Sequence, residues 1–190
     1  MIEVKGSEPR LLITTVFGRE AMAALEVESA LLDMCRDVVV EYRRRKGLVI
    51  VFSSVCRDPY SMVLRLRARG CSAIRWAIPL QSYVRSRYED IRRACRDIVM
   101  FYPERKPIIL VGICRKRGWY IDSCTRLLKF VGEDLESLGI AEVDFKRYSY
   151  VLRIEIVDDV AFLSLYRRSD EHLFRFRPSY LHTQLPQVIV

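Results

Sequence analysis

Long apolar runs are missing from this sequence: no stretch approaches the roughly 18 to 20 residues that a transmembrane helix needs. The first ten residues, MIEVKGSEPR, also lack the apolar core of a secretory signal peptide. We therefore expect a cytoplasmic protein. Disorder is not expected either, because 51% of the 190 residues are hydrophobic, which is enough for one large core or two small ones.

Motifs of catalysis and of cofactor binding are missing as well. The only two histidines, His172 and His182, have no carboxylate partner that the sequence predicts. No glycine-rich loop follows a strand, no P-loop occurs, and no His, Glu and Cys set has the spacing of a zinc deaminase. We therefore predict a protein that is not an enzyme, with no catalytic residues, no metal site and no cofactor.

Clustered cysteines do not occur in this chain. Six cysteines are spread singly, without a CxxC pair that would close around zinc. They are Cys35, Cys56, Cys71, Cys95, Cys114 and Cys124. We interpret most of them as small buried apolar residues, and the sequence assigns no disulfide.

Acidic residues are outnumbered, with 24 Asp and Glu against 32 Lys and Arg, which gives a formal charge of +8. This excess favours a polyanionic partner, such as nucleic acid or an anionic membrane surface. The alternative is a basic protein without a polyanionic partner, because charge also serves solubility.

Hydrophobic patterning up to about residue 85 predicts the order β-α-β-β-α-β, which is the ferredoxin-like order. The segments are a strand over 11–17, a helix from Gly18, strands over 38–42 and 48–52, a helix that begins at Asp58-Pro59 and a strand over 73–80. The polar stretch 84–87 is the predicted boundary. We therefore predict an α/β (α+β) protein whose N-terminal domain spans residues 1–85.

The second half has a different order of elements. It predicts a helix over 88–99, a strand over 108–113, a helix from Asp122 or Ser123 to Gly139, a strand over 142–145, and a hairpin over 151–165 with its turn at Asp158-Asp159. That pair of acids is interpreted as a turn rather than a metal site. We assign residues 86–168 to a second domain and 169–190 to an extended C-terminal tail.

Three segments of this second half carry a resemblance. They are IILVGICRKRG, IDSCTRLLKFVGEDLESLGI and VDFKRYSYVLRIEIVDDVAFLSLY, in that order. Residues 86–168 resemble the THUMP domain of tRNA-modifying proteins, and residues 10–85 resemble the ferredoxin-like domain that usually precedes it. The resemblance implies binding to the acceptor end of tRNA.

The candidate RNA-binding residues lie mostly in the basic segments of the sequence. Arg115, Lys116 and Arg117 are expected in a basic turn after a strand, where they can neutralise phosphates, or else lie in a solvated loop. Further candidates are Trp119, Ser123, Arg126, Lys129, Lys146 and Arg147, with Arg43, Arg44, Arg45 and Lys46 as a secondary site. Arg43 to Lys46 are expected to form a hairpin turn, which is either solvated or in contact with the RNA backbone.

Other candidates also have more than one interpretation. Arg126 and Lys129 either extend the basic surface or lie on a solvated helix face. Lys146 and Arg147 close the next predicted strand, where they either make a second phosphate contact or do not. Trp119 and the neighbouring Tyr120 can stack on an unpaired base at a tRNA 3′ end, or pack in the core. Ser123 can cap a helix whose free amides also bind a phosphate.

The chain is most similar to stand-alone THUMP proteins that act as adaptors for tRNA cytidine acetylation. We therefore expect a tRNA-binding adaptor that grips the acceptor end and presents it to a separate tRNA-modifying enzyme, an RNA cytidine acetyltransferase by this resemblance. The alternative is a protein-binding subunit of an RNA-modification complex in which the catalytic chain holds the RNA.

Overall fold

Two β-sheets and their helices make up the computed structural model, which describes residues 7–176. In chain order the elements are β1 (Glu8–Thr15), α1 (Glu20–Leu31), β2 (Val39–Arg43), β3 (Leu48–Ser53), α2 (Pro59–Arg69), β4 (Ile74–Pro79), β5 (Ser82–Arg85), α3 (Tyr88–Phe101), β6 (Ile108–Arg117), α4 (Cys124–Ser137), β7 (Ala141–Val143), β8 (Tyr150–Val157), β9 (Val160–Arg167), a 3-10 turn (Arg168–Asp170) and α5 (Glu171–Phe174). The predicted α/β fold class is confirmed.

The first sheet has the strand order β2-β3-β1-β4 and is antiparallel throughout. Together with α1 and α2 it has the predicted β-α-β-β-α-β order of a ferredoxin-like unit. The second helix begins as expected, because the Asp58 carboxylate accepts hydrogen bonds from the amides of Tyr60 and Ser61 and Pro59 occupies the first turn.

The second sheet has the order β5-β9-β8-β6-β7. Its centre is mixed: β8 runs parallel to β6 and antiparallel to β9. The turn between β8 and β9 consists of Asp158 and Asp159, as predicted, and Asp158 has a left-handed φ of 52°. Asp is among the residues that adopt this conformation most readily.

Three clusters of buried side chains hold these layers together. One lies under α1 and α2 and extends to Val111 and Val151 of the second sheet. Another lies between the second sheet and helices α3 and α4. The third joins the opposite face of the first sheet to Phe162 in β9. Burial of an aromatic side chain such as this one contributes about 1.5 to 3 kcal/mol to the stability of the fold. Because two of the clusters contain residues from both sheets, they fix the position of one sheet against the other.

Two predicted segments differ from the structure. Residues 82–85 were assigned to the first half, but they form β5 and pair with β9 in the second sheet, since Ser82 lies opposite Leu163. Residues 169–174 are not extended. They form the end of the 3-10 turn and the whole of α5. This segment is held against the core because Phe174 is buried and packs edge-on against Tyr60 and Tyr166. The predicted tail beyond residue 176, including His182, lies outside the described residues.

The interpretation of the cysteines is partly wrong. Disulfides join Cys35 to Cys56 and Cys114 to Cys124, while Cys71 and Cys95 are buried free thiols as expected. The pairing was not predictable because both bridges join elements that meet only in the fold. In the part of the chain that the structure describes, no helix has both the length and the apolar character needed to cross a membrane.

Candidate nucleic-acid interface

The basic residues Arg115, Lys116 and Arg117 lie in a strand and not in the predicted turn. They are the last three residues of β6, and they pair in register with Glu155, Ile156 and Val157 of β8. The strand continues past the apolar run because β8 supplies a partner for each of its residues, which is a tertiary effect that the sequence pattern does not contain.

Each of the three side chains at the end of β6 has a different environment. Arg117 donates from Nη1 to Oε2 of Glu155 at 2.8 Å. Lys116 donates from Nζ to the carbonyl oxygens of Ile121 and Asp122, at 3.0 and 2.6 Å. Arg115 is exposed, and it has no ion-pair partner among residues 7–176. Arg115 is therefore free to meet a phosphate.

A short loop over residues 118–123 leaves β6 and leads into α4. Its first residue, Gly118, lies against the β8–β9 turn, since a Cβ atom there would be 3.2 Å from Cα of Asp158. The disulfide between Cys114 in β6 and Cys124, the first residue of α4, joins the two elements that flank this loop. The loop is therefore held at both of its ends.

The two aromatic residues of this loop point to solvent. Trp119 is 90% exposed and Tyr120 is 59% exposed. Core packing, one of the two interpretations of these residues, is therefore wrong. Their rings are available for stacking on an unpaired base.

The start of α4 is capped as predicted. The Ser123 hydroxyl accepts a hydrogen bond from the amide of Arg126 at 3.3 Å. Asp122 precedes it, accepts hydrogen bonds from Tyr88 and from the Ser123 amide, and forms an ion pair with Arg126 at 2.6 Å. The Tyr88 hydroxyl holds the pKa of Asp122 below its ordinary value. This carboxylate neutralises Arg126 and repels a phosphate near the capped amides.

Of the secondary candidates, Arg43 is the last residue of β2, and Arg44, Arg45 and Lys46 lie in the turn between β2 and β3. Its base is fixed because the Gly47 amide donates to Oε1 of Glu20 at 3.0 Å, in the first turn of α1. The pKa of Glu20 lies below its ordinary value, through hydrogen bonds from its own amide and from that of Gly47. Arg43 pairs with Glu41, whereas Arg44 and Arg45 are exposed and have no ion-pair partner among residues 7–176.

Lys46 connects this turn to the second sheet. Its Nζ atom lies 2.6 Å from Oδ2 of Asp158, in the turn between β8 and β9. The amide of Asp158 in turn donates to the carbonyl oxygen of Arg117 at 3.2 Å. The primary and secondary candidate sites, separated by about seventy residues in sequence, therefore lie at the same end of the molecule. We call this end, with Arg44, Arg45, Arg115, Lys116 and Trp119, the basic end.

Two of the predicted residues lie away from the basic end. Lys146 and Arg147 do not close a strand, because β7 stops at Val143, and both amides donate to Asp144 in the turn that follows. That turn lies beside Ile109, since the Ser149 amide donates to the Ile109 carbonyl oxygen. Ile109 precedes Arg117 by eight residues of strand, or about 26 Å.

Arg147 and another predicted residue, Lys129, both lie near acidic side chains. Arg147 is paired with Asp144 and Glu142, while Lys129, one turn into α4 after Arg126, is 3.7 Å from Glu133. Lys146 and Arg147 therefore lie apart from the basic end, and their binding to RNA stays a prediction. The strand that separates them from the basic end is the physical reason.

Three charged residues that position the basic end were not among the predicted site residues. They are Asp158, the buried Glu155 and its buried neighbour Arg153, whose Nε donates to Glu155 Oε1 at 2.8 Å. The Arg153 guanidinium is 4.8 Å from the ring centre of Trp76 in β4. Charged residues within an apolar strand were the only signal in the sequence, because the residues that connect this pair to the rest of the fold, Arg117 and Trp76, come from distant segments.

Comparison with solved structures identifies several proteins with a similar fold. PH1313 from Pyrococcus horikoshii Ot3 superimposes with a TM-score of 0.67 at 15% identity, over 89% of this chain and 56% of its own. TrmN from Thermus thermophilus gives a TM-score of 0.58 at 20% identity, over 84% and 46%. A 4-thiouridine synthetase solved in complex with RNA and ATP gives a TM-score of 0.58 at 14% identity, over 84% and 42%.

The chain therefore spans about half the length, or less, of these proteins. No protein-family model matches the sequence. No curated protein matches it either. At these identities the similarity shows the fold alone. That fold is the mixed α/β fold with a THUMP-like arrangement, which the sequence predicted.

Proposed function

We propose that this protein is a tRNA-binding adaptor that is not itself an enzyme. It grips the acceptor end of tRNA with its basic end and presents the RNA to a separate tRNA-modifying enzyme. The observation that carries this proposal is the meeting of two basic segments, Arg43–Lys46 and Arg115–Arg117, through the contact between Lys46 and Asp158. Each segment by itself is a short basic stretch of a kind common on protein surfaces. Together the two segments form one concentration of positive charge.

Positioning is the proposed mechanism. Arg44, Arg45 and Arg115 have no ion-pair partner among residues 7–176, so they bind phosphates without first breaking a salt bridge. Contacts of this kind orient the RNA without reading its sequence. The exposed ring of Trp119 stacks on a base of the single-stranded 3′ end, a contact worth about 1 to 3 kcal/mol.

The similar structures support RNA as the ligand. One of them, a 4-thiouridine synthetase, was solved in complex with RNA. Its fold matches 84% of the present chain. The choice of tRNA and of its acceptor end rests on the resemblance to THUMP domains. The choice of an RNA cytidine acetyltransferase as the partner rests on the resemblance to stand-alone THUMP adaptors, and it is the finer part of the proposal.

Binding to intact and truncated tRNA tests the proposal directly. The affinity of the purified chain for whole tRNA is compared with its affinity for the same tRNA lacking the 3′ single-stranded end, at two salt concentrations. We expect tighter binding to intact tRNA, and a loss of affinity with salt because each neutralised phosphate releases counterions. Equal, weak binding to both RNAs would contradict acceptor-end recognition, and binding insensitive to salt would contradict phosphate contacts.

The alternative is a protein-binding subunit whose catalytic partner holds the RNA. Charge reversal at Arg115 and Lys116 separates the two functions, because it abolishes RNA binding only if the basic end binds RNA. The absence of catalysis is tested by incubating the chain with tRNA and candidate group donors. A new modified nucleoside in that reaction would contradict the adaptor proposal.

A further inference from the structure

One edge of β6 is open in the second sheet. β7 pairs only with residues 108–110 of β6, whereas β8 pairs with all residues from Leu110 to Arg117. Beyond Leu110 no described strand lies on the β7 side. Seven residues of β6, from Val111 to Arg117, therefore form an edge strand, which is the usual template for pairing with another chain.

The direction of each backbone group along this edge follows from the pairing with β7. The Ile108 amide donates to the Ile140 carbonyl oxygen at 3.2 Å, and the Leu110 carbonyl oxygen accepts from the Asp144 amide at 3.1 Å. Even-numbered residues of β6 thus direct their backbone groups towards β7. The next two, Gly112 and Cys114, point the same way, and within residues 7–176 no backbone group meets them there.

An apolar cavity of about 470 Å³ lies next to this open edge, between β6 and α4. Its walls include Leu110, Gly112, Leu128, Val143 and Phe145. The absence of a side chain at Gly112 lets Leu128 approach the strand, since a Cβ atom there would be 2.7 Å from Leu128 Cδ2. Phe145 lies at the mouth and is 76% exposed, so one wall of the cavity is a large apolar surface in contact with water.

The charges along the edge indicate what kind of segment fits it. Arg115 and Lys116 lie within the open stretch, just after Cys114, and Arg115 has no ion-pair partner among residues 7–176. A second copy of β6 paired at this edge would bring the same cations and no acidic partner for them, because residues 108–117 contain no Asp or Glu. A segment with an apolar side chain for the cavity and an acidic residue beside Arg115 matches both features.

We propose that the β6 edge is a docking site for an extended segment of a partner protein. The segment adds a strand beside Gly112 and Cys114, inserts one apolar side chain into the cavity under α4, and carries an acidic residue next to Arg115. Strand addition of this kind gains affinity from main-chain hydrogen bonds and specificity from the side-chain pocket. This inference rests on the proposed adaptor function, because it supplies the surface that the separate enzyme would use.

A selection from displayed random twelve-residue peptides tests the docking site. The bait is the immobilised full chain, and the enriched peptides are then synthesised and their affinities measured. We expect enriched peptides with alternating apolar residues and an acidic residue. Their affinity should fall at least about tenfold in the variant Phe145→Asp, which places a charge at the mouth of the apolar cavity.

The variant Phe101→Asp is the matched control. Phe101, on α3, is 81% exposed against 76% for Phe145, so the two substitutions replace similarly exposed rings with the same charge. Peptide binding should survive in this control. The proposal would be overturned if the enriched peptides bound Phe145→Asp as tightly as they bind the unchanged chain. It would also be overturned if a selection on the unchanged chain enriched only the peptides that a selection on Phe145→Asp enriches.

Amide hydrogen exchange measured by NMR on the unchanged chain gives a second readout that needs no variant. The amides of Gly112 and Cys114 should exchange rapidly in the free protein and at least about tenfold more slowly with an enriched peptide bound. Unchanged exchange at these two amides would overturn strand addition.

Binding of tRNA by Phe145→Asp separates this inference from the proposed function. Phe145→Asp leaves every residue of the basic end unchanged, and Arg115, the nearest of them along β6, lies three residues or about 10 Å beyond Gly112, so tRNA affinity should not change. Loss of peptide binding with tRNA binding retained would support both proposals. Failure of the unchanged chain to bind tRNA, with peptides still bound at β6, would contradict the adaptor function and leave the docking site standing.

Discussion

Lys46 Nζ lies 2.6 Å from Oδ2 of Asp158, and this contact joins the β2–β3 turn of the first sheet to the β8–β9 turn of the second. The two side chains are 35% and 51% exposed. An ion pair at this exposure contributes about 0.2 to 1 kcal/mol, so it orients the two turns more than it stabilises them. Its importance is that it sets the charge at the basic end, where Asp158 offsets one of the cations.

Replacement of Asp158 should therefore strengthen RNA binding. In Asp158→Asn the left-handed backbone is tolerated, since Asn also adopts a positive φ, and one negative charge is removed from the basic end. We expect higher affinity for tRNA and a free energy of unfolding lower by up to about 1 kcal/mol. The measurements are tRNA titration and chemical denaturation. The control is Asp97→Asn on the exposed surface of α3, and a gain of the same size there would contradict the local effect.

Charge reversal at Arg115 should weaken tRNA binding without destabilising the fold. Arg115 is exposed and has no ion-pair partner among residues 7–176, so Arg115→Glu breaks no salt bridge. We expect at least about a tenfold loss of affinity and a salt dependence shallower by about 0.7 to 0.9 for each lost phosphate contact. Arg93→Glu on α3 makes the same charge change elsewhere. Equal losses in the two variants would indicate only a general effect of net charge.

Removal of the Trp119 ring tests the stacking contact. Because this side chain is 90% exposed, Trp119→Ala should leave the thermal midpoint unchanged while reducing affinity for intact tRNA by about 1 to 3 kcal/mol. The effect should disappear with tRNA that lacks its 3′ single-stranded end. A similar loss with both RNAs would show that Trp119 contacts another part of the tRNA, and no loss with either would remove it from the interface.

The two disulfides predict a specific count of reactive thiols. Of the six cysteines, four are bridged, which leaves Cys71 and Cys95. Burial raises the pKa of the Cys71 thiol to about 11 and raises that of Cys95 as well, so neither should react with a thiol reagent in the folded protein. We expect no reactive thiol when folded, two after denaturation and six after reduction.

Loss of a bridge should also reduce stability. The bridged residues are 21 and 10 apart in sequence, and closing loops of that size contributes about 3 kcal/mol each. Reduction should therefore lower the thermal midpoint, and the double variant Cys114→Ser with Cys124→Ser should show part of that fall. More than two reactive thiols in the denatured, unreduced protein would contradict the pairing.

Asp37 predicts a pH-dependent contribution to stability. Its carboxylate accepts from the Ser53 and Ser54 hydroxyls, both at 2.7 Å, and from the amides of Ser54 and Val55. Hydrogen bonds from the two hydroxyls hold the pKa of Asp37 well below its ordinary value of 3.8. Because the native value is depressed, the stabilisation is fully present above the ordinary value and is lost as the pH falls through the native one.

The variant Asp37→Asn should therefore be less stable than the unchanged chain at neutral pH. We expect a difference of about 1 kcal/mol for this partly exposed site. The difference should be constant from pH 7 to about pH 5 and shrink as the pH falls below 4. Denaturation at several pH values measures it, and a difference that grew on acidification would contradict the assignment.

The sequence by itself determined most of the local structure. The caps at Asp58 and Ser123, the left-handed C-terminal glycine at Gly139 and the two-residue turn at Asp158-Asp159 all occur where the pattern predicted them. These features depend on residues within a few positions of each other, so the chain specifies them before it folds. The α/β fold class followed from the order in which these elements repeat.

Only the tertiary structure decided which basic segments meet. It extended β6 through Arg117, brought Lys46 to Asp158, and separated Lys146 and Arg147 from the basic end by about eight residues of strand. It also moved residues 82–85 into the second sheet and paired Cys114 with Cys124. Each of these outcomes depends on contacts between residues far apart in sequence, which local propensity does not encode.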